Sequence, residues 1–101
     1  MANVRAHLII EGIVHGVFFR ANTKEQADRT GVRGWVKNRP DGTVEALFEG
    51  DEEPVKKLIA WCHHGPPEAV VQNVNIDWEE YKGEFKNFTV IQGVIDEKNR
   101  L

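Results

Sequence analysis

The sequence predicts an α+β fold of two layers, an antiparallel sheet with two helices on one face. Three observations predict it. Strand-type alternation recurs in several short runs, helical stretches fall between those runs in the order β-α-β-β-α-β plus one short strand, and 101 residues suffice for one core but not two.

Each element has its own signal. Arg5 to Val14 (RAHLIIEGIV) is apolar and β-branched, with Ala6, Leu8 and Ile10 on one face and His7, Ile9 and Glu11 on the other, so it reads as the first strand. Arg20 to Thr30 holds helix formers and charges without Gly or Pro, and Gly31 follows as the C-cap residue. The apolar face expected for this helix is thin, resting on Ala27 with Ala21 and Thr23. Val32 to Asn38 and Thr43 to Glu49 flank Arg39-Pro40-Asp41-Gly42, whose turn formers make the pair a hairpin. Val44, Ala46 and Phe48 alternate with Thr43, Glu45, Leu47 and Glu49, as in a half-buried strand.

Asp51-Glu52-Glu53-Pro54 places acids and a proline where a helix begins, and Val55, Leu58, Ile59 and Cys62 recur at helical spacing until Gly65-Pro66-Pro67. Val70 to Trp78 alternates again, Val74, Ile76 and Trp78 opposing Asn73, Asn75 and Asp77, and Phe88 to Ile91 closes the pattern. This order is that of a ferredoxin-like split βαβ sandwich. Strands one and two, joined through the first helix, then run parallel, so their C-terminal ends share one edge of the sheet. The loop after Val14 meets Asn38 there, and Arg20 comes beside Asn38 although far from it in sequence.

Composition narrows the class of protein. With 41% apolar and 29% charged residues the chain resembles an ordinary globular domain. The single cysteine, Cys62, offers neither a disulfide nor a CxxC pair, which suits a reducing compartment. Residues 1–12 lack a secretory pattern, and no run nears the roughly 18 apolar residues of a membrane span, so a cytoplasmic location is expected. Residues 1–40 carry seven Lys or Arg against three acids, whereas residues 41–101 carry six against thirteen. A basic first part suits a small anionic ligand and does not form an extended nucleic-acid surface.

The stretch Gly12-Ile13-Val14-His15-Gly16-Val17-Phe18-Phe19-Arg20 runs from a strand into a helix. Gly16 permits a tight turn that directs N–H groups to one point, and a helix N-terminus and an arginine fork add to the same field. It lacks both the Lys-Ser/Thr ending of a Walker loop and the spacing of a dinucleotide fingerprint. From local composition alone, an anion cradle and an ordinary turn with a solvated arginine stand level.

A second stretch, Gly34-Trp35-Val36-Lys37-Asn38-Arg39-Pro40-Asp41-Gly42-Thr43-Val44, shifts that balance. Together the two resemble the signatures of the acylphosphatase family: a G-x-V-Q-G-V-x-F-R loop, matched from Gly12 to Arg20 except for His15 at the glutamine, and a G-aromatic-x-x-N-x-x-x-G-x-V stretch, matched in full. Weaker similarity extends over roughly Val4 to Ile91. The resemblance implies a domain over residues 5–92, metal-independent hydrolysis of acyl phosphates to a carboxylate and inorganic phosphate, no cofactor, and Arg20 and Asn38 as the catalytic pair. The phosphate would lie against His15, Gly16, Val17, Phe18, Phe19 and Arg20. The expected partners are an acyl phosphate and phosphate or a similar anion, with no nucleic acid or membrane, and the expected state is a monomer.

Two departures from the family pattern stand out. Because the cradle is built of backbone amides, His15 is expected to spare activity while altering its pH dependence. The tail 93–101 is expected to be a flexible end. Of Phe18 and Phe19, one is expected to pack inward and the other to line the acyl side of the pocket. Cys62-His63-His64 cannot converge on one metal ion, since consecutive helical residues point about 100° apart. Trp35, Trp61, Trp78 and Phe88 read as core or sheet-surface aromatics, and His7 as facing solvent or a carboxylate.

Three rival classes share the topology, and one of them, a metallochaperone, would need a paired-cysteine loop that the sequence lacks. An RNA-recognition domain would stack bases on the third strand, but the outward set there includes two acids, Glu45 and Glu49. A regulatory domain could use the same cradle without turnover, and Asn38 argues against that reading, because a binding site has no need to orient water.

Overall fold

The computed structural model describes residues 2–92. The tail expectation for 93–101 lies outside the described residues. The element order is β1 (Asn3–Ile13), α1 (Phe19–Thr30), β2 (Arg33–Asn38), β3 (Val44–Asp51), α2 (Glu52–Cys62), β4 (Val70–Glu79) and β5 (Phe88–Ile91). The strands form one sheet in the order β4-β1-β3-β2-β5, antiparallel except for the parallel pair β2 and β5. This is the expected ferredoxin-like βαββαβ sandwich with a short fifth strand.

The core lies between sheet and helices. Ala6, Leu8 and Ile10 of β1 and Val44, Ala46 and Phe48 of β3 are fully buried, as alternation required. They meet Val55, Leu58, Ile59 and Cys62 of α2. Burial of side chains of this size stabilises by roughly 1.5–3 kcal/mol each, so the alternating runs supply most of the driving force.

Helix α1 departs from expectation. Its buried residues are Phe19, Thr23 and Ala27, whereas Ala21 is exposed. Phe18, left-handed at φ 66°, sets the chain's entry so that Phe19 turns inward, where its ring meets Trp61 at 5.4 Å. Thr23 is tolerated inside because its hydroxyl donates to the Phe19 carbonyl at 2.8 Å. The helix ends at Gly31, left-handed at φ 79°, whose N–H donates to Ala27 O. Gly65, beyond α2, lies so close to Phe19 that a Cβ there would meet its ring at 2.8 Å.

The outer face of β3 is also covered, contrary to a half-buried strand. Leu47 and Glu49 are only 3% and 2% exposed. Arg5 Nη1 donates to Glu49 at 3.0 Å, and the N–H groups of Lys82, Gly83 and Glu84 donate to the same carboxylate at 2.9, 3.2 and 3.3 Å. The β4–β5 connection is thereby fastened over the sheet. Of the two acids expected outward on β3, only Glu45 remains accessible, and it pairs with His7 at 2.6 Å. Trp78 and Trp35 lie on the sheet surface and Phe88 in the core, as expected for aromatics of those kinds.

Candidate active site

The C-terminal ends of β1 and β2 do share one edge, and a cleft of about 660 Å³ opens there. Its walls include Gly16, Phe18, Phe19 and Arg20 from the loop and first helical turn, and Asn38 from the end of β2. Eighteen positions of sequence separate Arg20 from Asn38, and the topology brings them into one cavity.

The loop is suited to an anion. Gly16 (φ 71°) and Phe18 (φ 66°) both take left-handed angles, which bend the chain sharply. Among the described residues, no backbone or side-chain acceptor takes a hydrogen bond from the N–H groups of residues 15–20. Those donors stand at the positive end of α1 with no partner of their own.

His15 ties the loop down. Its Nε2 lies 2.8 Å from the Thr43 carbonyl, which can only accept, so this nitrogen carries the proton. Thr43 O also receives the Arg39 N–H at 2.9 Å. The hairpin turn that follows Asn38 is thus bonded to the loop that precedes α1. Asp41 steadies the turn by accepting from the Thr43 N–H and hydroxyl at 3.0 and 2.6 Å.

Arg20 is half-buried, and its Nη1 donates to Gln92 Oε1 at 3.0 Å, leaving its other N–H groups free of described partners. Asn38 Oδ1 is buried and finds no hydrogen-bond partner among the described residues. An orphaned acceptor of this kind costs about 1–3 kcal/mol unless water supplies the bond. Cationic and amide donors and a lone buried acceptor thus come together at one cleft, a set chemically suited to an anion and a water.

A sequence model of acylphosphatases matches residues 6–90. The chain belongs to the acylphosphatase family. Curated relatives agree along nearly the whole length: an acylphosphatase of Pyrobaculum islandicum is 59% identical over 95 residues, 93% of this chain and 100% of that one. Another, from Pelotomaculum thermopropionicum, is 52% identical over 90 residues, covering 89% and 98% of the two chains. The crystal structure of acylphosphatase from Bacillus subtilis superposes with a TM-score of 0.84 at 31% identity, over 87% of this chain and 98% of that one.

In this acylphosphatase Cys62 lies in the core, as expected of a residue on the apolar face of its helix. Cys62 is fully buried, and desolvation pushes its thiol well above the usual range. No group of metal-ligating residues occurs among the described residues. No described helix is long and apolar enough to cross a membrane. Ala21, expected on the buried face of its helix, lines the cleft instead, and Lys24, Val90 and Gln92 also escaped sequence reasoning. Lys24 Nζ is held by Asp28 at 2.9 Å and Phe88 O at 3.1 Å. Lys24 stands one helical turn beyond Arg20, a spacing that could have marked it, whereas β5 brings Val90 and Gln92 to the site only through its pairing with β2.

Proposed function

We propose that Arg20 and Asn38 form the catalytic pair of this acylphosphatase, and that the N–H groups of His15, Gly16, Val17, Phe18, Phe19 and Arg20 hold the phosphoryl group. The activity is hydrolysis of the carboxyl–phosphate bond of acyl phosphates, giving a carboxylate and inorganic phosphate. The observation that carries the residue roles is that Asn38, whose buried Oδ1 has no partner among the described residues, lines the same cleft as Arg20.

The chemistry needs few groups. A carboxylate leaves with little protonation, so what remains is positioning and charge stabilisation. The guanidinium fork and the loop amides bind the phosphoryl oxygens and stabilise the charge that develops on them. Asn38 Oδ1 accepts a hydrogen bond from water and aims it at phosphorus opposite the leaving oxygen. The water oxygen bonds to phosphorus as the bond to the carboxyl oxygen breaks with its electron pair. An amide is not a base, so the water's proton passes to a phosphoryl oxygen.

In this reading residues 5–92 are the working unit, the protein is a cytoplasmic monomer, and inorganic phosphate acts as product and inhibitor. The test is hydrolysis of benzoyl phosphate in excess chelator by the native protein, Arg20→Ala and Asn38→Ala, each checked for folding. Loss of about 10² to 10³ in turnover in both folded variants is expected. Full turnover in either variant removes that residue from the pair.

A further inference from the structure

Phe18 occupies a position that the loop signature leaves open, next to two residues it fixes. Among the described residues it is the one non-glycine with positive φ, and its side chain is 75% exposed. A bulky residue held left-handed is strained, and an exposed ring recovers none of that cost through burial. The conformation is locked by Asn22, whose backbone N–H and side-chain amide both donate to Phe18 O, at 3.1 and 2.8 Å. Packing does not account for an aromatic ring fixed in solvent at the rim of a reaction cleft.

Phe18 borders two depressions. One is the cleft with Arg20 and Asn38; the other, of about 220 Å³, is lined by Val17, Pro66, Pro67 and Glu68. Sheet order sets their direction. Asn38 ends β2 beside β5, while Pro66 and Pro67 lead into β4 at the opposite edge. In-line displacement sends the leaving group away from the attacking water. A water held at Asn38 therefore expels the carboxylate toward the β1–β4 side, across Phe18.

We infer that Phe18 and the Pro66–Pro67 shelf form the acyl subsite, selecting an apolar acyl group, aryl or medium-length alkyl. This rests on the placement of water at Asn38 described above. Contact with the ring and the prolines removes apolar surface from water, and Glu68 repels an acyl group that carries a second negative charge.

The test compares kcat/KM for benzoyl phosphate with that for acetyl phosphate in the native protein, Phe18→Gly and Phe18→Asn. Both replacements tolerate the left-handed angle. The benzoyl-to-acetyl ratio is expected to fall about ten-fold in both, mainly through a higher KM for benzoyl phosphate. Damage to the phosphate cradle lowers both substrates together and leaves the ratio alone, so a ratio within about two-fold of native overturns the subsite. The native protein gives a second reading: KM is expected to fall steadily from acetyl to butyryl to hexanoyl phosphate, and a flat series contradicts the proposal. Hydrolysis of neither substrate by the native protein removes the activity and the subsite together. A normal acetyl phosphate rate with an unchanged ratio removes the subsite alone.

Discussion

His15 stands where the family signature has glutamine, and its hydrogen bond to Thr43 O explains why the exchange is tolerated. Both side chains present an N–H donor at the end of a short reach, and the carbonyl needs only a donor. The side chain therefore matters more than a backbone cradle alone suggests, as a tether between the loop and the hairpin beside Asn38. His15→Ala is expected to lose about 0.5–1.5 kcal/mol of stability and to weaken phosphate inhibition, whereas His15→Gln retains both, as measured by urea denaturation and inhibition constants. Arg20→Lys tests the fork itself. With Nη1 committed to Gln92, bidentate binding needs the remaining guanidinium donors, and a lysine ammonium offers no planar pair, so turnover is expected to fall nearly as far as in Arg20→Ala.

At the scale of elements, Glu49 is the fastening that matters. Burial pushes its carboxyl upward, but the Lys82 N–H, the Arg5 guanidinium and the Gly83 N–H together outweigh that and hold it below the ordinary range. A depressed folded value contributes stability above the unfolded value of about 4.3, and that stability is lost as pH falls through the folded value. Urea midpoints should therefore decline below about pH 4.3, and less steeply in Glu49→Gln. At pH 7 the same substitution leaves Arg5 facing only the half-exposed Glu79 and Glu84, and a loss of up to about 3–5 kcal/mol is expected. Sequence reading took Glu49 as an outward acid of an alternating strand. Its burial depends on a loop some thirty positions later folding back over β3, which no local periodicity encodes.

For the whole molecule, one core spans sheet and both helices, and Cys62 lies at its centre as the only thiol of the chain. Its labelling by an aromatic disulfide reagent is expected to be negligible in native buffer and to follow global unfolding as urea is added. Rapid labelling without denaturant would show that α2 detaches separately. The same global arrangement explains what could be read in advance. Strands, hairpin and sheet edge were legible because alternation and turn residues are local, and the meeting of Arg20 with Asn38 followed from topology. That one of Phe18 and Phe19 packs inward was legible, but which one was not, because it depends on the left-handed angle at Phe18. Nor were Val90 and Gln92, which belong to the cleft only after β5 docks on β2.

The lone acceptor of Asn38 and the left-handed angle of Phe18 have a shared consequence for how this chain responds to selection. Each is a local defect by the standards of folding alone, and both border the cleft. A library screened only for survival of heat, blind to turnover, should accumulate replacements at these two positions: apolar residues at 38, glycine or asparagine at 18. The resulting proteins would be harder to melt and poorer at their work. Thermal hardness and catalytic competence are then opposed at two mapped residues, and elsewhere in the chain the same screen should find substitutions that leave function alone.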